Sequence, residues 1–134
     1  MRIAKALMIA GALAFAPGAS AQQAIDLSGV WQGAFWGADG AGTGFQVTFD
    51  DGQPGGDFVG SSAEPNTFGD NSTRFLQATL QGNVRNGQFA MLKTYDGAGG
   101  VSHAVTYAGQ VVSDRRIVGT WTLPGATGQF EIVR

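Results

Sequence analysis

The chain has no cysteine, a single histidine and few charges: Asp, Glu, Lys and Arg together make up 13% of its 134 residues. Without cysteine there is neither a disulfide nor a thiol nucleophile, so the hydrophobic core has to hold the fold unaided. One histidine cannot pair with a second to build a zinc site, and the scattered acids form no triad with it. No Gly-x-Ser-x-Gly elbow occurs. These gaps argue against an enzyme, against a bound metal and against a cofactor. Basic residues are scarce in the first half, where positions 22 to 72 hold seven acids and no Lys or Arg. That balance speaks against nucleic acid as a partner. No Leu/Ala/Glu/Lys-rich window follows residue 21, which disfavours helix.

What is present begins with a leader. "MRIAKALMIAGALAFAPGASA" has basic Arg2 and Lys5, an apolar run from Ala6 to Ala16, and a small-x-small site at Ala19-Ser20-Ala21. This reads as a signal peptide over 1–21, cleaved near Ala21, with the mature protein secreted to the bacterial periplasm or beyond. The apolar run is too short for a retained membrane span. Residues 22–134 then form one domain. Without Arg2 and Lys5 the mature chain keeps six basic residues against ten acidic ones, a net charge of −4.

The mature part divides into short alternating runs at 27–36, 43–50, 57–63, 73–84, 88–95, 101–112, 116–123 and 128–134. Turn signals separate them: "GADGAG", "DDGQPGG", "EPNTFGDNS", "RNG", "DGAGG", "SDR" and "PGAT". Consecutive antiparallel strands with short connections predict an all-β fold, an eight-stranded up-and-down (meander) barrel, because closure removes both exposed edges. "LSGVWQGAF…GTGFQVTF" and "IVGTWTLPGATGQFEIV" echo one another, as two hairpins solving one packing problem would. Alternation assigns the inward faces. These carry Leu27, Trp31 and Phe35; Phe45, Val47 and Phe49; Phe58, Ser62 and Glu64; Leu76, Ala78, Leu80 and Val84. The later strands supply Phe89, Met91, Lys93 and Tyr95; Val101, His103, Val105 and Tyr107; Ile117, Trp121 and Leu123; and Phe130, Ile132 and Arg134. With Asp96–Gly100 as a loop, Tyr95 faces Val101, Lys93 faces His103, Met91 faces Val105 and Phe89 faces Tyr107. Tyr107 then faces Trp121. Strand direction gathers Trp36, Glu64, Lys93, Tyr95, His103, Trp121 and Leu123 at one end, and Trp31 and Arg134 at the other.

The Gly29-x-Trp31 opening followed by eight strands resembles the calycin superfamily, which includes lipocalins, avidins and bacterial metalloprotease inhibitors. The resemblance implies that Trp31 packs at the closed end with Arg134, from the last strand, lying across it. "HAVTYAGQ" looks like the avidin sixth strand, and Trp121 falls where avidins set a ring against biotin. The polar biotin contacts do not carry over: Ser62, Leu92 and Gly128 stand at positions where avidins have a tyrosine, a tryptophan and an aspartate. "EPNTFGD" and "KTYDG" with a terminal Gly-x-Trp also look like a group of bacterial secreted proteins.

Two readings stand for Lys93 and His103. In one they floor a pocket, Lys93 offering charge to an anionic group and His103 a hydrogen bond, between walls of Tyr95, Tyr107 and Trp121. In the other Lys93 snorkels out and pairs with Glu64 or Asp96, while His103 bonds a loop carbonyl. "EPNTFGDNS" is either a lid that brings Asn66 and Phe68 over a ligand or an ordinary long connection. Asp50, Asp51 and Asp57 read as solvated acids of a turn and not as a calcium loop. The expected function is a secreted barrel binding a small, partly apolar or anionic molecule at the open end. A protein partner, as for a periplasmic protease inhibitor, and a structural envelope role are the alternatives.

Overall fold

The computed structural model describes residues 24–134; the leader at 1–21 lies outside the described residues. Eight strands follow one another: β1 (Gly29–Trp36), β2 (Gly42–Asp50), β3 (Asp57–Pro65), β4 (Phe75–Arg85), β5 (Gln88–Tyr95), β6 (Ala104–Ser113), β7 (Arg116–Leu123) and β8 (Ala126–Val133). Each pairs antiparallel with the next, and β1 pairs with β8 to close an up-and-down barrel. The meander expected from the alternation is the fold. Closure runs through Gly33 opposite Ile132 and Phe35 opposite Phe130.

The inward rows form the core. Phe45, Val47, Phe49, Phe58, Leu80, Phe89, Met91, Ile117, Phe130 and Ile132 are all buried, while their strand neighbours mostly face solvent. Burial of such side chains is worth about 1.5–3 kcal/mol each, before the entropy of ordering is charged against it. Glycine makes the tight closure feasible at particular points. A Cβ on Gly33 would lie 2.5 Å from the Phe45 ring, so the ring packs where only hydrogen stands. Asn86 and Gly87 take φ of 54° and 80° between paired Arg85 and Gln88, the two-residue turn whose twist matches the strands it joins.

One expected register is corrected. Lys93 pairs with Val105 and Met91 with Tyr107, and Tyr95 N–H donates to the His103 carbonyl at 3.1 Å. The hairpin is therefore offset by two residues, and β6 starts at Ala104 rather than 101. The cause is the glycine turn: Gly97, Gly99 and Gly100 take φ of 97°, 69° and 73° around a 3-10 turn, Ala98–Gly100. That turn tucks Val101 inward and lengthens the loop. An offset of two preserves every face, since side chains alternate with period two. Tyr107 does pair with Trp121.

The closed end is sealed by Trp31, which is fully buried and donates Nε1–H to the Leu27 carbonyl at 2.8 Å. The Arg134 guanidinium lies 4.2 Å from the Trp31 ring centroid and donates to the carbonyls of Asp114, Ser28 and Asp26. Asp51 is not a solvated acid: it is 4% exposed and its Oδ2 accepts the Leu27 N–H at 3.0 Å. It clips the segment before β1 onto the barrel.

Candidate functional site

The inward faces of β3 and β5 bring a carboxylate and an ammonium into the lumen, and neither reaches water: both side chains are 0% exposed. Lys93 Nζ donates to Glu64 Oε1 at 2.5 Å, and the Tyr95 hydroxyl lies 3.0 Å from both Glu64 oxygens, donating to them. Rings enclose the ammonium, with centroids of Phe45 at 4.6 Å, Tyr95 at 4.9 Å, Phe35 at 5.2 Å and Tyr107 at 5.9 Å. The ring quadrupoles attract the cation, which together with Glu64 offsets the cost of taking it out of water. Burial pulls the Lys93 amine below its ordinary value, opposed by the charge and hydrogen bond of Glu64. Burial, reinforced by the Glu64 charge, pushes the phenols of Tyr95 and Tyr107 well above theirs. Ser62, inward on β3 and 6% exposed, has an Oγ without a hydrogen-bond partner.

Above the ion pair the lumen is not filled. A cavity of about 260 Å³ is lined by Phe35, Phe68, Tyr95, His103, Val105, Tyr107, Trp121 and Leu123. The Trp121 indole meets Phe35 edge-on at 6.2 Å and donates Nε1–H to the Trp36 carbonyl at 3.0 Å. Gly128 makes room for it, because a Cβ there would lie 2.5 Å from that nitrogen.

Two loops frame the mouth. Asn66 Nδ2 donates to the carbonyls of Asp70 (2.6 Å) and Thr73 (2.9 Å), and its Oδ1 accepts the Gly69 N–H at 2.7 Å. Asp70 N–H donates to the Gly99 carbonyl at 2.7 Å, tying the β3–β4 loop to the β5–β6 turn. This holds Phe68, 49% exposed, across the mouth with its ring 5.8 Å from Tyr95 and 6.2 Å from His103.

Phe68, Tyr95, His103, Tyr107 and Trp121 thus converge on the cavity. The other residues expected there sit elsewhere. Glu64 and Lys93 lie beneath the cavity and off its surface, so Lys93 is neither a pocket floor nor a snorkelling rim residue. Asn66 spends its amide on the loop. Trp36, one residue on from inward Phe35, lines an outer depression with Thr120, Thr127 and Gln129; only its carbonyl serves the cavity. Leu123, expected at this end, lines the cavity too, as do Phe35 and Val105, which were not singled out although their inward register was readable. Among the described residues, no group of three or more His, Cys, Asp or Glu is placed to hold a metal ion. Among the same residues, no helix is long and apolar enough to cross a membrane.

No protein-family model and no curated protein matches the chain. Solved structures do. A redesigned β-barrel superposes with a TM-score of 0.58 at 18% identity, over 81% of this chain and 90% of that one. A de novo designed fluorescence-activating β-barrel gives a TM-score of 0.59 at 14% identity, over 80% and 92%. At such identities the likeness is one of fold: the chain is similar to small designed closed barrels in architecture.

Proposed function

We propose that this barrel binds a small molecule in the cavity at its open end. The carrying observation is the cavity itself: a space of about 260 Å³ with five aromatic side chains in its wall, open where the loops are longest. Ligand sites commonly occupy barrel mouths, apolar with a few placed polar groups. An apolar cavity of about 150 Å³ takes up benzene, so this one suits a compound of one or two rings. One structural neighbour is a fluorescence-activating barrel, which is in keeping with such use of a barrel lumen.

The reading is of a binder and not an enzyme, since Glu64, Lys93 and Tyr95 are committed to one another below the cavity. Arg134 stacked on Trp31 supports a calycin-type relationship, and the leader supports secretion. A protease inhibitor acting through its N-terminal segment gains no support: Leu27 is fully buried and Asp26 and Ser28 are held by Arg134.

Titration with prodan, an uncharged two-ring naphthalene dye that brightens in apolar surroundings, tests the proposal. Saturable one-to-one enhancement is expected, abolished by Val105→Phe, which fills the cavity from the wall. Equal enhancement by wild type and V105F, both folded, would sink it.

A further inference from the structure

We infer that Glu64 sets the charge preference of the cavity: by cancelling Lys93 it makes the site select an uncharged ring compound over the same ring bearing a carboxylate. This rests on the cavity being a ligand site.

Without Glu64, Lys93 would be the natural counter-ion for an anion. Its ammonium stands behind the walls, 4.9 Å from the centroid of Tyr95, 5.2 Å from that of Phe35 and 5.9 Å from that of Tyr107. All three rings also line the cavity, and Lys93 does not. A ligand stacked there would sit about 8–9 Å from Nζ, where a bare ammonium at an effective dielectric near 20 favours an anion more than tenfold. Glu64 Oε1 at 2.5 Å removes that attraction and leaves a dipole. Among the described residues, no Asp, Glu, Lys or Arg side chain lines the cavity, so an anion entering it would lose hydration with no charged partner to replace it. A cation fares no better. Five rings in one wall resemble a cage for a quaternary ammonium, but three of them already face the Lys93 ammonium.

Three compounds on one ring system separate these cases: 2-naphthamide, 2-naphthoate and a naphthyl-trimethylammonium, measured by calorimetry at pH 6 and pH 8. The wild type should bind the amide at least tenfold more tightly than either ion. Glu64→Gln keeps an acceptor for Tyr95 and leaves burial alone to lower the Lys93 amine, so naphthoate should gain relative to the amide, at least tenfold at pH 6 and less at pH 8. Should E64Q lack native near-ultraviolet dichroism, Lys93→Met reports in the opposite sense and the cation should gain. Tightest binding of naphthoate or of the cation by wild type overturns the inference. So does an unchanged preference in a folded E64Q. Binding of neither the naphthalenes nor the uncharged dye would instead remove the cavity as a ligand site.

Discussion

At Lys93 the alternation of β5 puts an ammonium where a leucine or phenylalanine would ordinarily pack, and four rings and one carboxylate make the position tenable. Removing one member of a buried pair leaves the other uncompensated, so Lys93→Met should cost about 3–5 kcal/mol. Lys93→Met/Glu64→Leu should recover most of that loss, because an apolar replacement escapes desolvation, the remainder reflecting the Tyr95 hydroxyl left without its acceptor. Urea denaturation of the two variants and the Glu64→Leu single completes the double-mutant cycle. A K93M midpoint equal to that of wild type would mean the pair contributes nothing. The inward position of Lys93 was legible from alternation alone. Its partner could be named only as one of two, Glu64 or Asp96, because β3 and β5 are not neighbours in the sheet and meet only across the lumen.

Strands and turns were legible wherever a short connection fixes the register, as at Asn86-Gly87. The β5–β6 connection was not, because three positive-φ glycines can form several loops of different effective length. Sequence gives their permissiveness and not the conformation chosen. The same turn holds the β3–β4 loop, and that contact belongs to neither segment by itself. A Cβ on Gly69 would lie 2.6 Å from the Gly99 carbonyl, so the two loops touch backbone to backbone. Asn66→Ala removes three hydrogen bonds within the first loop and should cost about 1–3 kcal/mol. The loss should be local. Amide exchange at Asp70 is expected to speed up and dye affinity to fall severalfold, with protection of the central strands kept. Exchange measured by NMR decides between this and a loop that holds without Asn66.

For the whole molecule, both tyrosines are buried phenols with raised pKa values. An unfolded tyrosine releases its proton near pH 10. Their contribution to stability is therefore fully present below about pH 10 and is lost as pH rises above it. Absorbance at 295 nm should stay flat through pH 10, then rise for both phenols together as the barrel unfolds. Gradual ionisation centred near pH 10 in a folded protein would contradict their burial. The acids of positions 22–72 and the bases of the later strands do meet. They meet through Glu64–Lys93 and Asp57–Arg85, between β3 and the β4–β5 hairpin. The ion pair also partitions the barrel. Below it, Phe49, Phe58, Phe89 and Phe130 form a packed aromatic cluster with successive centroids 5.0, 5.5 and 6.1 Å apart; above it lies the cavity. Such a partition separates what natural selection must conserve from what it is free to vary. Replacing Trp121 or Leu123 alters the cup and leaves its solid base alone, so a lineage carrying this plug can reshape the cavity step by step without passing through a form that fails to fold.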